Sequence, residues 1–193
     1  MSLKHAILGF LSNHQMTGYD LKKNFDQSIQ FFWPANQSQI YRTLTEMYEN
    51  GLVHQEVVER DDRLDMKIYH ITDTGREELQ RWLSTPLMYQ SYREAFLIQI
   101  YFGSKLNDQD VLPIIRHMIS DLESSQKQLT MIYKMYQSKI DQMESPRSLF
   151  YSLLTLEYGI ASNQAALNWL NSTHQRLEAG DYAPQDLSRL VGE

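Results

Sequence analysis

Cysteine is absent from the 193 residues, which excludes disulfides, thiolate chemistry and cysteine metal sites and fits a reducing compartment. Also missing is any uncharged apolar run approaching the roughly 20 residues that a membrane-spanning helix needs. The opening Met1-Ser2-Leu3-Lys4-His5 lacks the cationic region and long apolar stretch of a signal peptide, so the expectation is a soluble, cytoplasmic protein with no membrane partner. There is no excess of positive charge either. The net charge is −6, and division after Thr85 leaves 9 Lys+Arg against 12 Asp+Glu in each part. A polyanionic partner would have to be held by a few well-placed cations, not by the overall field. Signatures of common catalysts are wanting too: there is no glycine-rich phosphate loop, no G-x-S-x-G elbow, and the 6 histidines are scattered. His54 and His70 could approach across a hairpin, but with no third ligand in view they read as satisfied strand residues. No catalytic residue, metal or cofactor is expected.

What is present is a 42% hydrophobic complement, ample for one large domain or two small ones. The chain is organised around Trp33 to Val53. Pro34 suits the approach to a helix, and Asn36 followed three residues later by Gln39 resembles a capping box, which predicts a helix starting near Gln37. At 100° per residue Ile40, Leu44 and Met47 fall on one face with Tyr48 beside them, while Ser38, Arg42, Thr45 and Glu49 fall opposite. Asn50-Gly51 predicts a left-handed stop. Asn36, Gln37, Ser38, Gln39 and Arg42 crowd the first turns, whereas Glu46 and Glu49 sit in the last two. That polarity suits a helix presenting its N-terminus to something negative, such as DNA. An ordinary solvated, capped face has the same pattern, so the neighbouring elements carry the decision.

Upstream, Leu3, Ile7, Phe10 and Leu11 share a helical face, Asn13 to Met16 break the pattern, and Thr17 with Asp20 caps a second helix carrying Leu21, Phe25 and Ile29 to about Gln30. The link Phe31-Phe32-Trp33-Pro34 reads as an apolar staple of the helix entry in preference to a ligand platform. Downstream, Leu52 to Arg60 and Met66 to Ile71 predict a hairpin around the charged tip Asp61-Asp62-Arg63-Leu64-Asp65. Thr72 then opens a helix with Leu79, Trp82 and Leu83 that ends at Ser84-Thr85-Pro86. Three helices, a two-stranded hairpin and a fourth helix predict a mainly α protein in which residues 1–85 form a winged helix-turn-helix.

Residues 86–193 predict a helical domain. A short amphipathic helix is expected over Tyr92 to Phe102. Beyond it, Ile115, Ile119, Leu122, Gln126, Leu129, Tyr133, Tyr136, Ile140 and Met143 recur at spacings of four and three. Leu149, Leu153, Leu156, Ile160, Asn163, Leu167, Leu170, His174 and Leu177 do the same after Glu144-Ser145-Pro146. Two long helices joined by so short a turn run antiparallel, like a coiled coil. Leu149, Leu153, Leu156, Ile160, Leu167 and Leu170 are the expected dimerisation residues, and a partner subunit is the natural cover for Phe150, Tyr151 and Trp169 off the seam. Gln126 and Asn163 in the seams either fix register or border a wet region.

Gly18-Tyr19-Asp20-Leu21, the run Phe32-Trp33-Pro34-Ala35-Asn36-Gln37-Ser38-Gln39-Ile40-Tyr41, Gly51-Leu52-Val53 and Lys67 to Gly75 together resemble the PadR family of bacterial transcription regulators. The resemblance implies a homodimeric repressor of double-stranded operator DNA, dimerised by its helical C-terminal domain and released by a small aromatic effector, phenolic acids in the best-matched members. It also implies DNA contacts from Gln37, Ser38 and Gln39 in the major groove, from Tyr19 and Tyr41 to phosphate, and from Arg63 in the minor groove. Asn36, Arg42 and Lys67 complete the expected interface. Glutamine can pair with adenine through both amide atoms, and a lone arginine suits a narrow minor groove. Asp61, Asp62 and Asp65 around Arg63 depart from the more lysine-rich wings of relatives; they either weaken the wing or aim the arginine, and Arg63 as a solvated turn residue stays open. Tyr92, Arg93 and Phe96 mark an aromatic stretch where an effector could bind, with Arg116 and Lys134 as further partners for a carboxylate, although an aromatic stripe is more often core. The rival to DNA binding is a dimeric winged-helix module that binds a protein partner.

Overall fold

A computed structural model describes residues 2–59, 65–88, 94–138 and 146–185. The chain forms two compact units, Met1–Gln90 and Ser91–Glu193. In the first, α1 (Ser2–Leu11) is followed by β1 (Met16–Thr17), α2 (Gly18–Gln27), α3 (Gln37–Glu49), β2 (Val53–Val58), β3 (Met66–Ile71) and α4 (Asp73–Ser84). The strands make one antiparallel sheet in the order β1-β3-β2, with Met16 opposite Tyr69 and His54 opposite His70. This is the winged helix expected, with one addition: β1, too short to leave a periodicity, turns the two-stranded hairpin into a three-stranded sheet.

Local chemistry sets the helix ends. Thr17 and Asp20 close a capping box at α2, and Thr72 accepts from the Gly75 amide at α4. α3 ends at Asn50, after which Gly51 takes a φ of 68°, the left-handed stop that glycine adopts without strain. α2 stops short of the expected Gln30. The Phe25 carbonyl accepts from the amides of Ser28, Ile29 and Gln30 in a tightened turn, while Ile29 still packs on the core and so extends the apolar pattern past the helix. Ile7, Leu8, Leu21, Phe25, Ile40 and Leu44 are fully buried, joined by Met47, Val53 and Tyr69. Trp33 and Ala35 pack against this core as a staple, Phe32 stands half in solvent, and Tyr48, expected beside the core face, is 50% exposed.

α1 and α4 are joined through a charged cluster. Lys4 Nζ donates to Glu78 Oε1 at 2.6 Å, His5 Nε2 lies 3.2 Å from the same oxygen, and Arg81 reaches Oε2 at 2.9 Å. The His5 ring stacks on Trp82, centroids 4.5 Å apart and 7° from parallel. Hydrogen bonds from Lys4, then from His5, hold the Glu78 carboxyl below its ordinary pKa. A depressed carboxylate contributes stability that is fully present above its unfolded pKa and is lost as pH falls through the folded one. The thermal midpoint is therefore expected to drop on acidification below the ordinary value of 4.5, and Glu78→Gln to flatten that drop in calorimetric scans at stepped pH.

The second unit contains α5 (Ala95–Tyr101), a 3-10 turn (Gly103–Lys105), α6 (Asp108–Gln137) and α7 (Pro146–Ala179). Pro113, in the second turn of α6, has no amide to donate to the Gln109 carbonyl, and the helix continues past it. The side chain of Asn163 donates to Ser125 Oγ at 3.0 Å and the Tyr133 hydroxyl to Glu157 at 3.3 Å, so ascending α6 descends α7: the two are antiparallel. α5 packs Phe96 and Ile100 against Val111, Ile115 and Leu170. Among the described residues no helix is long and apolar enough to cross a membrane.

Candidate nucleic-acid interface

α3 buries Ile40, Leu44 and Met47 and turns its other face outward. At its start the Gln39 amide donates to Asn36 Oδ1 and the Asn36 amide to Gln39 Oε1, both at 2.9 Å. The structure thus gives two of the expected contact residues a second occupation. Gln39 keeps its NH₂ free of the box, but its oxygen is already an acceptor for backbone. Gln37 and Ser38 are exposed and take no part in the box. Arg42 stands one turn further on, its side chain 77% exposed and 4.0 Å from Glu46, itself 64% exposed, a pair too solvated to fix the guanidinium. No acidic residue occurs in the first turn, where unpaired amides and the helix dipole favour an anion.

Glu accepts as Gln does, so Gln39→Glu preserves the capping box while deleting the outward donor. Its thermal midpoint is expected to stay within about 2 °C of the parent, because a cap is worth on the order of 1 kcal/mol and is retained, while any affinity for DNA falls at least tenfold. Paired melting and binding curves check this.

Two tyrosines flank the helix. Tyr19, on α2, is 65% exposed and Tyr41, on α3, 39%. The Tyr41 ring lies against Gly18, and a Cβ built there would meet Tyr41 Cε1 at 2.5 Å. Tyr69 on β3 is buried, and burial first, then the neighbouring Tyr41, raises its phenol above the usual pKa. Lys67 is exposed on β3 opposite Val57. Arg63 lies outside the described residues. On β2 and β3, His54 and His70 bring their rings to 6.1 Å between centroids, and His70 Nε2 is 2.9 Å from Glu56. His70 is thus partnered by a carboxylate, and among the described residues no three His, Asp or Glu side chains are grouped to hold a metal.

Residues 7–81 match the family model of the transcriptional regulator PadR-like family, and residues 92–178 match that of the virulence activator alpha C-terminal region. The probable transcriptional regulator Rv1176c of Mycobacterium tuberculosis is 31% identical, with 92% of this chain and 98% of that protein covered. The chain belongs to the PadR-like family of transcriptional regulators. The negative transcriptional regulator PadR of Bacillus subtilis is 27% identical over 88% of this chain and 94% of that one. The crystal structure of that protein with operator DNA superposes with a TM-score of 0.79, at 26% identity and over 92% of this chain and 99% of that chain. Its complex with p-coumaric acid superposes with 0.72 at the same identity, over 91% and 95%. A PadR-like chain is a regulator and not an enzyme.

In this PadR-like chain the second unit uses its seam internally. Leu149, Leu156, Leu167 and Leu170 are 1%, 3%, 7% and 1% exposed within a single chain, and Leu153 and Ile160 are half-buried. These six positions, expected to meet a partner, are largely spent on the hairpin itself. Apolar side chains left outside include Phe150, Tyr151, Leu154, Tyr158 and Trp169 on α7, Met131 and Met135 on α6, and Leu97, Ile98 and Tyr101 on α5. Phe96 is committed to packing too, edge-on to Trp169 at 6.3 Å. Tyr92 and Arg93 lie outside the described residues; Arg116 is exposed, and Lys134 borders an open groove with Gln126, Lys127, Thr130 and Met131. Heptad spacing identifies the buried stripe, but the covering of the remaining faces depends on length and subunit number, which spacing does not encode.

Proposed function

We propose that the chain is a homodimeric, cytoplasmic repressor that binds double-stranded operator DNA and is released by a small aromatic acid. The exposed first two turns of α3, with Gln37, Ser38 and Arg42 over a fully buried opposite face, carry this reading. Two such helices on a two-fold axis would enter successive major grooves about 34 Å apart. The Bacillus subtilis relative, a negative regulator seen with operator DNA and with p-coumaric acid, supports both the partner and the class of effector. Phe150, Tyr151, Leu154 and Tyr158 run along one side of α7 at helical spacing and offer a second subunit an apolar face. DNA contacts are assigned to Gln37, Ser38, Gln39 and Arg42 with Tyr19, Tyr41, Lys67 and Arg63 around them, Asn36 serving the helix start.

The effector must discriminate between conformers to act. A hundredfold preference for the non-binding conformer corresponds to about 2.7 kcal/mol, and equal affinity for both releases nothing. Arg93 would supply the charge for a carboxylate and Phe96 an apolar wall. A gel-shift titration on DNA upstream of the protein's own gene, at two salt concentrations and with or without p-coumaric acid, tests the whole reading. Tight binding that weakens with salt and is relieved by the acid is expected. Binding without relief removes the phenolic effector and keeps the repressor. No specific shift at low salt overturns the DNA reading and directs attention to a protein partner.

A further inference from the structure

The face of α3 opposite the buried Ile40, Leu44 and Met47 carries Ser38, Arg42, Thr45 and Glu49, all exposed. Ser38 and Arg42 already belong to the proposed interface, and Thr45 follows Arg42 by about 4.5 Å along the helix axis. It is an odd occupant of that place. A β-branched side chain loses rotamer freedom in a helix, and at an exposed position packing within the chain does not recover the loss. The Thr45 hydroxyl donates to the Tyr41 carbonyl, one turn back, at 3.1 Å. Its single hydrogen is thereby spent on the backbone of its own helix. The two substituents on Cβ are fixed relative to one another, so turning the oxygen back on the helix leaves the methyl as the group that a surface laid along this face would meet.

We propose that Thr45 is a specificity residue that reads thymine through its methyl group. This rests on the DNA-binding reading above. Of the four bases only thymine presents a methyl in the major groove, and apolar contact with it is how a side chain with no donor to spare singles it out. Such a contact leaves the phosphates untouched, so it adds discrimination between sequences and no salt dependence. It also accounts for the threonine: serine would keep the bond to the Tyr41 carbonyl but offer the groove no methyl.

The test is fluorescence anisotropy on the full-length chain with the DNA upstream of its own gene, prepared once with thymidine and once with deoxyuridine, which lacks only the C5 methyl of the base. The parent is expected to bind the thymidine form at least about fourfold more tightly, the value of one buried methyl group. Thr45→Val keeps a methyl and loses the hydroxyl, and should hold both affinity and preference within about twofold of the parent. Thr45→Ser keeps the hydroxyl and loses the methyl. Its preference for the thymidine form should fall by about fourfold, with the salt slope unchanged. The residue is exposed, so neither substitution touches the core and both variants are expected to fold. A serine variant that keeps the parent's preference overturns the inference and leaves DNA binding standing. So does a valine variant that loses as much affinity as the serine one, or a parent that binds the two forms equally. A parent that binds neither form removes the DNA reading and this inference with it.

Discussion

Gly75→Ala should lower the thermal midpoint of the N-terminal unit by about 15 °C, although alanine is the better helix former at an exposed position by on the order of 1 kcal/mol. The added methyl would lie 2.2 Å from the carbonyl oxygen of Leu52, 2.9 Å from Ile71 Cγ1 and 3.2 Å from the Leu52 carbonyl carbon. A side chain could swing away; a backbone carbonyl held in place cannot. This one is held, because the Thr72 amide donates to the Leu52 carbonyl at 3.1 Å and the Thr72 hydroxyl to the Gly51 carbonyl at 2.7 Å. Overpacking of this kind costs about 3 kcal/mol and exceeds the propensity gain. Gly9 provides the control. It lies inside α1 with nothing within 4 Å of a would-be Cβ, so Gly9→Ala is expected to raise the midpoint by a few degrees. Opposite signs from one chemical change, measured by calorimetry, would establish that packing and not propensity decides; a Gly75→Ala protein as stable as the parent would refute the close contact.

Arg42→Glu should reduce affinity for operator DNA at least a hundredfold at low salt. The substitution removes a cation from the second turn of α3 and puts an anion in its place, and a charge-assisted contact of about 1.5–3 kcal/mol becomes a repulsion. Folding should hardly notice, because Arg42 is 77% exposed and its reversal adds only an i,i+4 repulsion from Glu46 worth about 0.5 kcal/mol or less. Glu49→Gln, on the last turn of the same helix, should leave binding within about twofold, since dipole and phosphate effects fade beyond the first turn. An Arg42→Glu chain that still shifts DNA at parent concentrations would show that α3 does not face the duplex.

The features that could be read from the sequence are those whose physics is local. Asn36 with Gln39, Thr17 with Asp20 and Thr72 with Gly75 cap their helices through side chains three residues from the amides they serve, and the start of α3 near Gln37 followed from the first of these. Asn50-Gly51 stopped the helix as expected. Features made by distant segments were not legible. β1 is two residues whose pairing exists only because Tyr69 arrives opposite Met16, and the contact between Gly18 and Tyr41 joins two motifs that each look self-contained. The extension of α2 to Gln30 failed for a related reason: Ile29 is apolar because it packs on the core from a turn, and periodicity does not distinguish that from a further helical position. In the interface itself the residue types were evident, and so were both roles open to Gln39, but not which of them its oxygen takes up. A capping glutamine and a base-reading glutamine are the same letter, and only the 2.9 Å bond to the Asn36 amide separates the roles.

α6 runs for 30 residues, so at 1.5 Å per residue it is a rod about 45 Å long. Swinging such a rod by about 5° carries its far end through roughly 4 Å, slightly more than the 3.4 Å rise of one base pair. Under the proposed release by an aromatic acid, leverage of this size would let the ligand act without remodelling a recognition surface. A tilt at one end of α6 no larger than a change of rotamer imposes thus carries its other end across the spacing of a base pair.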